Sequence, residues 1–99
     1  MNNVEQIKND IVRLKQYNAS CEERISDLNY VLGNLKLEYP SLLIYQNKNV
    51  YINPNFDFSK SFVTKEEVEE LITLLKELSR TVVDNELAIK DVNEIIQRG

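Results

Sequence analysis

At 99 residues the chain is short enough to be read as a single domain, 1–99, and its 12 basic and 16 acidic side chains leave a net charge of -4, which argues against nonspecific nucleic-acid binding. It has no histidine, one cysteine and two glycines, which removes the usual general base, a zinc cluster, an internal disulfide and a glycine-rich phosphate loop. No catalytic residue, cofactor or metal is therefore expected, and the chain is not read as an enzyme.

A first helix is predicted over about residues 3–38. Its apolar ladder is Val4, Ile7, Ile11, Leu14, Asn18, Cys21, Ile25, Leu28, Leu32 and Leu35. Steps of three and four put these side chains on one stripe, with a single polar break at Asn18. Cys21 lies on the stripe and reads as a small buried hydrophobe. Gly33 lies off the stripe, where a helical glycine costs about 1 kcal/mol relative to alanine. Either an outer face tolerates it, or another backbone comes close. Pro40 ends the helix, because a proline excludes the α conformation from the residue before it.

A β-hairpin and loop are predicted over about residues 41–62. Leu42–Tyr45 and Val50–Asn53 are β-branched and aromatic runs around the turn Gln46–Asn49. Pro54 stops the second strand. Six of the eight aromatics fall between Tyr39 and Phe62. Aromatics gathered on irregular structure resemble an interface hot spot, so Tyr39, Tyr45, Tyr51, Phe56 and Phe58 are the candidate partner-binding residues. The competing reading makes them a small core that caps the helices. A nucleic-acid stacking platform would have only Lys48 and Lys60 for charge in this segment.

A second helix is predicted over about residues 64–97, closed by Arg98 and Gly99. Thr64 and Glu67 form a capping box, and Val63 and Val68 a hydrophobic staple. Its ladder is Val68, Leu71, Leu75, Leu78, Val82, Asn85, Ile89, Val92 and Ile96, again with one polar break. Folding the chain back pairs Leu35 with Val68, Leu28 with Leu75, Cys21 with Val82, Leu14 with Ile89 and Ile7 with Ile96, each pair summing to 103. The same sum brings Asn18 to Asn85. The fold class is therefore mainly α: an antiparallel two-helix coiled-coil hairpin with a small β-hairpin and aromatic loop at its tip, assembling into a helical-bundle oligomer. The asparagine pair is assigned to setting the register; a binding pocket at Asn18, Asn85 and Tyr17 is the alternative.

One flank of the seam is largely apolar, with Tyr17 near Ala88, Val31 near Leu74, and Ile95. These five residues form the expected oligomer interface, since a lone two-helix hairpin has little core. The other flank is polar apart from Ile72, with Lys15 opposite Glu86. No signal peptide is read at the polar N-terminus, and no apolar run reaches the roughly 20 residues of a membrane span. The protein is expected to be cytoplasmic, with no nucleic-acid or membrane partner.

The order helix, β-hairpin, antiparallel helix resembles a β-type prefoldin subunit over the whole chain. The resemblance implies an oligomeric body built from hairpins and helices that hold unfolded clients. The ladders here run continuously to Ile7 and Ile96, whereas prefoldin tentacles expose apolar tips. The leading expectation is a protein-interaction module, such as a phage or mobile-element inhibitor or adaptor that binds itself and a protein partner. A prefoldin-like or secretion-type chaperone and a small-ligand-binding bundle are the alternatives.

Overall fold

The computed structural model describes residues 3–98. Helix α1 spans Asn3–Glu38, strand β1 Leu43–Gln46, strand β2 Asn49–Ile52, a 3-10 turn Phe58–Lys60, and helix α2 Lys65–Arg98. The protein is thus mainly helical: two helices packed against each other, with a two-stranded antiparallel sheet between them in sequence. Among the described residues, no helix is long and apolar enough to cross a membrane. The expected closing role of Gly99 lies outside the described residues.

The chain forms two compact units, Met1–Ile25 with Leu78–Gly99, and Ser26–Glu77. In the first unit Ile11, Cys21, Leu78 and Val82 are buried, while Leu14, Ile89, Val92 and Ile96 are half-buried and Val4 and Ile7 exposed. A helix with one neighbour can cover only part of its stripe.

The second unit has a drier core. Leu32, Leu35, Leu42, Leu43, Val50, Val68 and Ile72 form one buried cluster, and Tyr39, Phe56, Phe58, Val63, Leu71 and Leu75 pack around it. The β-hairpin supplies three of the seven, Leu42, Leu43 and Val50, if the residue leading into β1 is included. Ile72 lies on the otherwise polar flank and is buried because the hairpin's apolar side chains share its cluster. Leu71, on the ladder, is only half-buried.

Local chemistry sets the ends of these elements. The Tyr39 N–H still donates to the Leu35 carbonyl at 2.8 Å, and the Leu42 N–H then donates to Tyr39 at 3.0 Å, turning the chain through Pro40. The hairpin pairs Leu43 with Ile52, Ile44 with Tyr51, Tyr45 with Val50 and Gln46 with Asn49. Its loop is Asn47 and Lys48, with φ of 52° and 67°. Positive φ at both central residues gives the turn whose twist matches the strands. Asparagine tolerates that conformation and lysine does so at a cost. Each strand is consequently displaced by one residue toward the turn relative to Leu42–Tyr45 and Val50–Asn53.

At the start of α2, Thr64 Oγ1 accepts from the Glu67 N–H at 3.1 Å, and Glu67 Oε1 accepts from the Thr64 N–H at 3.1 Å. Two of the helix's unpaired donors are thereby satisfied. Val63 and Val68 belong to the same apolar cluster, as a staple requires.

Candidate functional site

The aromatics of the second unit divide into two groups. Tyr39, Phe56 and Phe58 are half-buried and packed against the core. Their rings meet edge-on, Tyr39 to Phe56 at 5.7 Å and Phe56 to Phe58 at 4.8 Å between centroids. The Tyr39 hydroxyl accepts the Phe62 N–H at 3.0 Å, which ties the loop to the end of α1. Tyr45 and Tyr51 are exposed instead, at 47% and 43%. Lys36 Nζ lies 4.5 Å from the centroid of the Tyr45 ring, and Lys76 Nζ 5.3 Å from that of Tyr51. Each ammonium is attracted to the electron-rich face of its ring.

Opposite Tyr51 on the neighbouring strand stands Ile44, 41% exposed. Strand parity places this pair on one face of the sheet. Ile44 is not among the residues predicted to bind a partner, although its alternation with Leu43 in the sequence is a signal for its exposure. Phe62, the sixth aromatic of this segment, is 72% exposed.

Beside these rings lies a cleft of about 350 Å³ whose walls include Tyr39, Phe56, Asn53, Asp57 and Lys60. Its polar wall is held by local hydrogen bonds. Asn53 Nδ2 donates to the Ser41 carbonyl at 2.9 Å, and Asn53 Oδ1 accepts from the Asn55 N–H at 3.0 Å. Asp57 Oδ1 accepts from the Ser59 hydroxyl at 2.6 Å and the Ser59 N–H at 3.0 Å. Those two bonds, the hydroxyl first, hold the Asp57 carboxyl below its ordinary value. The cleft therefore presents a carboxylate and an ammonium beside two aromatic edges.

No protein-family model, curated protein or solved structure matches this chain.

In the first unit the two asparagines meet. Asn85 Nδ2 donates to Asn18 Oδ1 at 2.8 Å, and Asn18 Nδ2 approaches the Val82 carbonyl at 3.4 Å. Asn18 is buried at 6% exposure. A cleft of about 280 Å³ opens beside the pair, lined by Lys15, Asn18, Ala19, Glu22, Glu86 and Ile89. Lys15 and Glu86 share this cleft as facing residues, and no ion pair joins them among the described residues. Tyr17 and Asn85 do not line it.

Of the expected oligomer interface, Tyr17, Ala88 and Ile95 in the first unit are exposed. In the second unit Val31 is exposed and Leu74 half-buried. Among the described residues no three histidine, cysteine or acidic side chains converge.

Proposed function

We propose that the protein is a non-enzymatic interaction module that self-associates through its helices and captures a protein partner with its β-hairpin. The observation that carries this reading is the exposed pair Tyr51 and Ile44 on one face of a hairpin rooted in buried Leu43 and Val50, with Tyr45 exposed on the other face. Tyrosine offers large contact area at low conformational cost, and a rooted hairpin needs little ordering on binding. Tyr39, Phe56 and Phe58 act as the floor that holds the surface in place. A cytoplasmic inhibitor or adaptor from a phage or mobile element suits a chain of this size.

The test is capture from a lysate of the source organism by the protein and by a Tyr45→Ala/Tyr51→Ala variant. The reading expects a retained partner to be lost from the variant while helicity and melting temperature stay unchanged. Retention of the same partner by the variant overturns it. Suppression of client aggregation by the intact chain would support the chaperone alternative instead. A second reading, small-ligand binding, draws on the cleft at Asn18; a saturable melting shift abolished by Lys15→Ala would favour it.

A further inference from the structure

The surface around the hairpin differs in charge from the rest of the chain. Between Glu38 and Asp57 there is no acidic side chain and one lysine, Lys48, in the turn. Two further lysines reach this segment from the helices, Lys36 to the Tyr45 ring and Lys76 to the Tyr51 ring. A helix pairs a lysine with a carboxylate three or four residues away. Neither lysine has one in either direction. Lys36, Lys48 and Lys76 are all exposed, and none forms an ion pair among the described residues.

The carboxylates of this unit are placed elsewhere. On α2, Ile72 shares the hairpin's buried cluster and Lys76 meets Tyr51, so these two mark the side of the helix that the hairpin covers. One heptad earlier on that side stand Lys65 and Glu69, whose charges face each other at 3.9 Å. Asp27, Glu38, Glu66, Glu67, Glu70 and Glu77 fall at other heptad positions. In the loop, Asp57 has Lys60 three residues on. A chain of net charge -4 thus gathers Lys36, Lys48 and Lys76, without matching acids, around one short hairpin. Four-residue strands are on the order of 13 Å long, so one extended segment of a partner spans them.

We propose that the partner captured by the hairpin presents an acidic segment, rich in aspartate and glutamate, to Lys36, Lys48 and Lys76. The inference rests on the hairpin capture proposed above and names the partner's chemistry. An ammonium has three donors, and a ring on one side of it leaves donors for a carboxylate on another. The Tyr45 and Tyr51 hydroxyls make no hydrogen bond among the described residues and offer further donors to the same carboxylates. Exposed Ile44 beside Tyr51 adds an apolar contact. A nucleic acid is the poorer match, because three cations release few counterions and a net charge of -4 repels a long polyanion.

Nuclear magnetic resonance on the labelled protein tests this with three probes: a glutamate-rich peptide, a lysine-rich peptide and a single-stranded oligothymidylate. The glutamate-rich peptide is expected to shift the backbone amides of Leu43–Gln46 and Asn49–Ile52, and to bind more weakly as salt rises. Lys36→Glu/Lys76→Glu should weaken that binding by about tenfold or more with helicity unchanged, and Lys36→Arg/Lys76→Arg should retain it. The proposal is overturned by an absence of hairpin shifts with the glutamate-rich peptide, by tighter binding of either other probe, or by binding indifferent to charge reversal. Capture from a lysate of the source organism separates it from hairpin capture itself. A partner lost from Tyr45→Ala/Tyr51→Ala but kept by Lys36→Glu/Lys76→Glu overturns the acidic segment and leaves hairpin capture standing. A partner kept by both variants overturns both.

Discussion

The two units are built on the same pair of apolar ladders and reach different degrees of burial. In the unit Ser26–Glu77 the ladders gain a third element, and Leu32, Leu42 and Val68 lose all contact with solvent. In the other unit there is no third element among the described residues, and the seam stays half-open around Leu14, Ile89 and Val92. A four-residue strand pair is marginal alone, yet laid on a helix pair it turns an exposed stripe into a core. The first unit differs: Asn85 hydrogen-bonds Asn18 across its seam, and Tyr17 and Ile95 on its flank stay exposed.

The sharpest way to break the contrast is to cut equal volumes from each unit. Leu42→Ala removes a fully buried side chain from a dry cluster and should cost about 3 kcal/mol of unfolding free energy. Ile89→Ala removes a half-buried one and should cost about 1 kcal/mol, because less area leaves water on folding. Urea titration followed by circular dichroism compares them directly. Equal losses would mean that the first unit is better covered in solution than its own residues achieve, as a second copy on the open flank would make it.

The asparagine layer comes next in size. Asn18→Leu strands the Asn85 amide, whose bond to Asn18 is 2.8 Å long, in a half-buried place. The cost expected is about 1–2 kcal/mol. Replacing both by leucine removes the stranded donor and should recover stability or exceed it, while allowing the helices to pair in more than one register. Amide spectra that remain single-conformer in the double variant would remove the register role from this pair.

How much of this was legible in the chain follows from what each signal depends on. Thr64 and Glu67 could be read because a capping box is confined to four residues. The Asn18–Asn85 contact could be read because a polar group on an apolar stripe needs a partner, and only one was available. The strands lie one residue nearer the turn than their β-branched runs suggest, because the turn uses Lys48 at positive φ, a residue that gives no turn signal. The burial of Ile72 depends on where the hairpin lands, which no helical period contains. Tyr39 follows the end of α1, where no repeat tells an inward ring from an outward one, and the Phe62 N–H donated to its hydroxyl shows it packed inward; Tyr45 shares strand parity with buried Leu43 and is nevertheless exposed.

The smallest expected effect concerns Gly33, in the last two turns of α1. A Cβ built at this position meets nothing within 4 Å, so no neighbour in the chain requires the glycine. Its neighbours one helical turn away on the same face, Tyr30 and Leu37, are 72% and 81% exposed. Helix propensity alone then predicts that Gly33→Ala stabilises the protein by about 0.8–1 kcal/mol, seen as a higher urea midpoint with an unchanged slope. The same variant probes the face. If a partner's backbone approaches α1 here, the added methyl group would weaken partner capture while the isolated protein gains stability. Unchanged capture would leave Gly33 as a tolerated helix defect and confine the binding surface to the hairpin. A loss of stability in the isolated chain would show instead that the open space beside Gly33 is filled in solution, and that the second unit, too, is completed by another molecule.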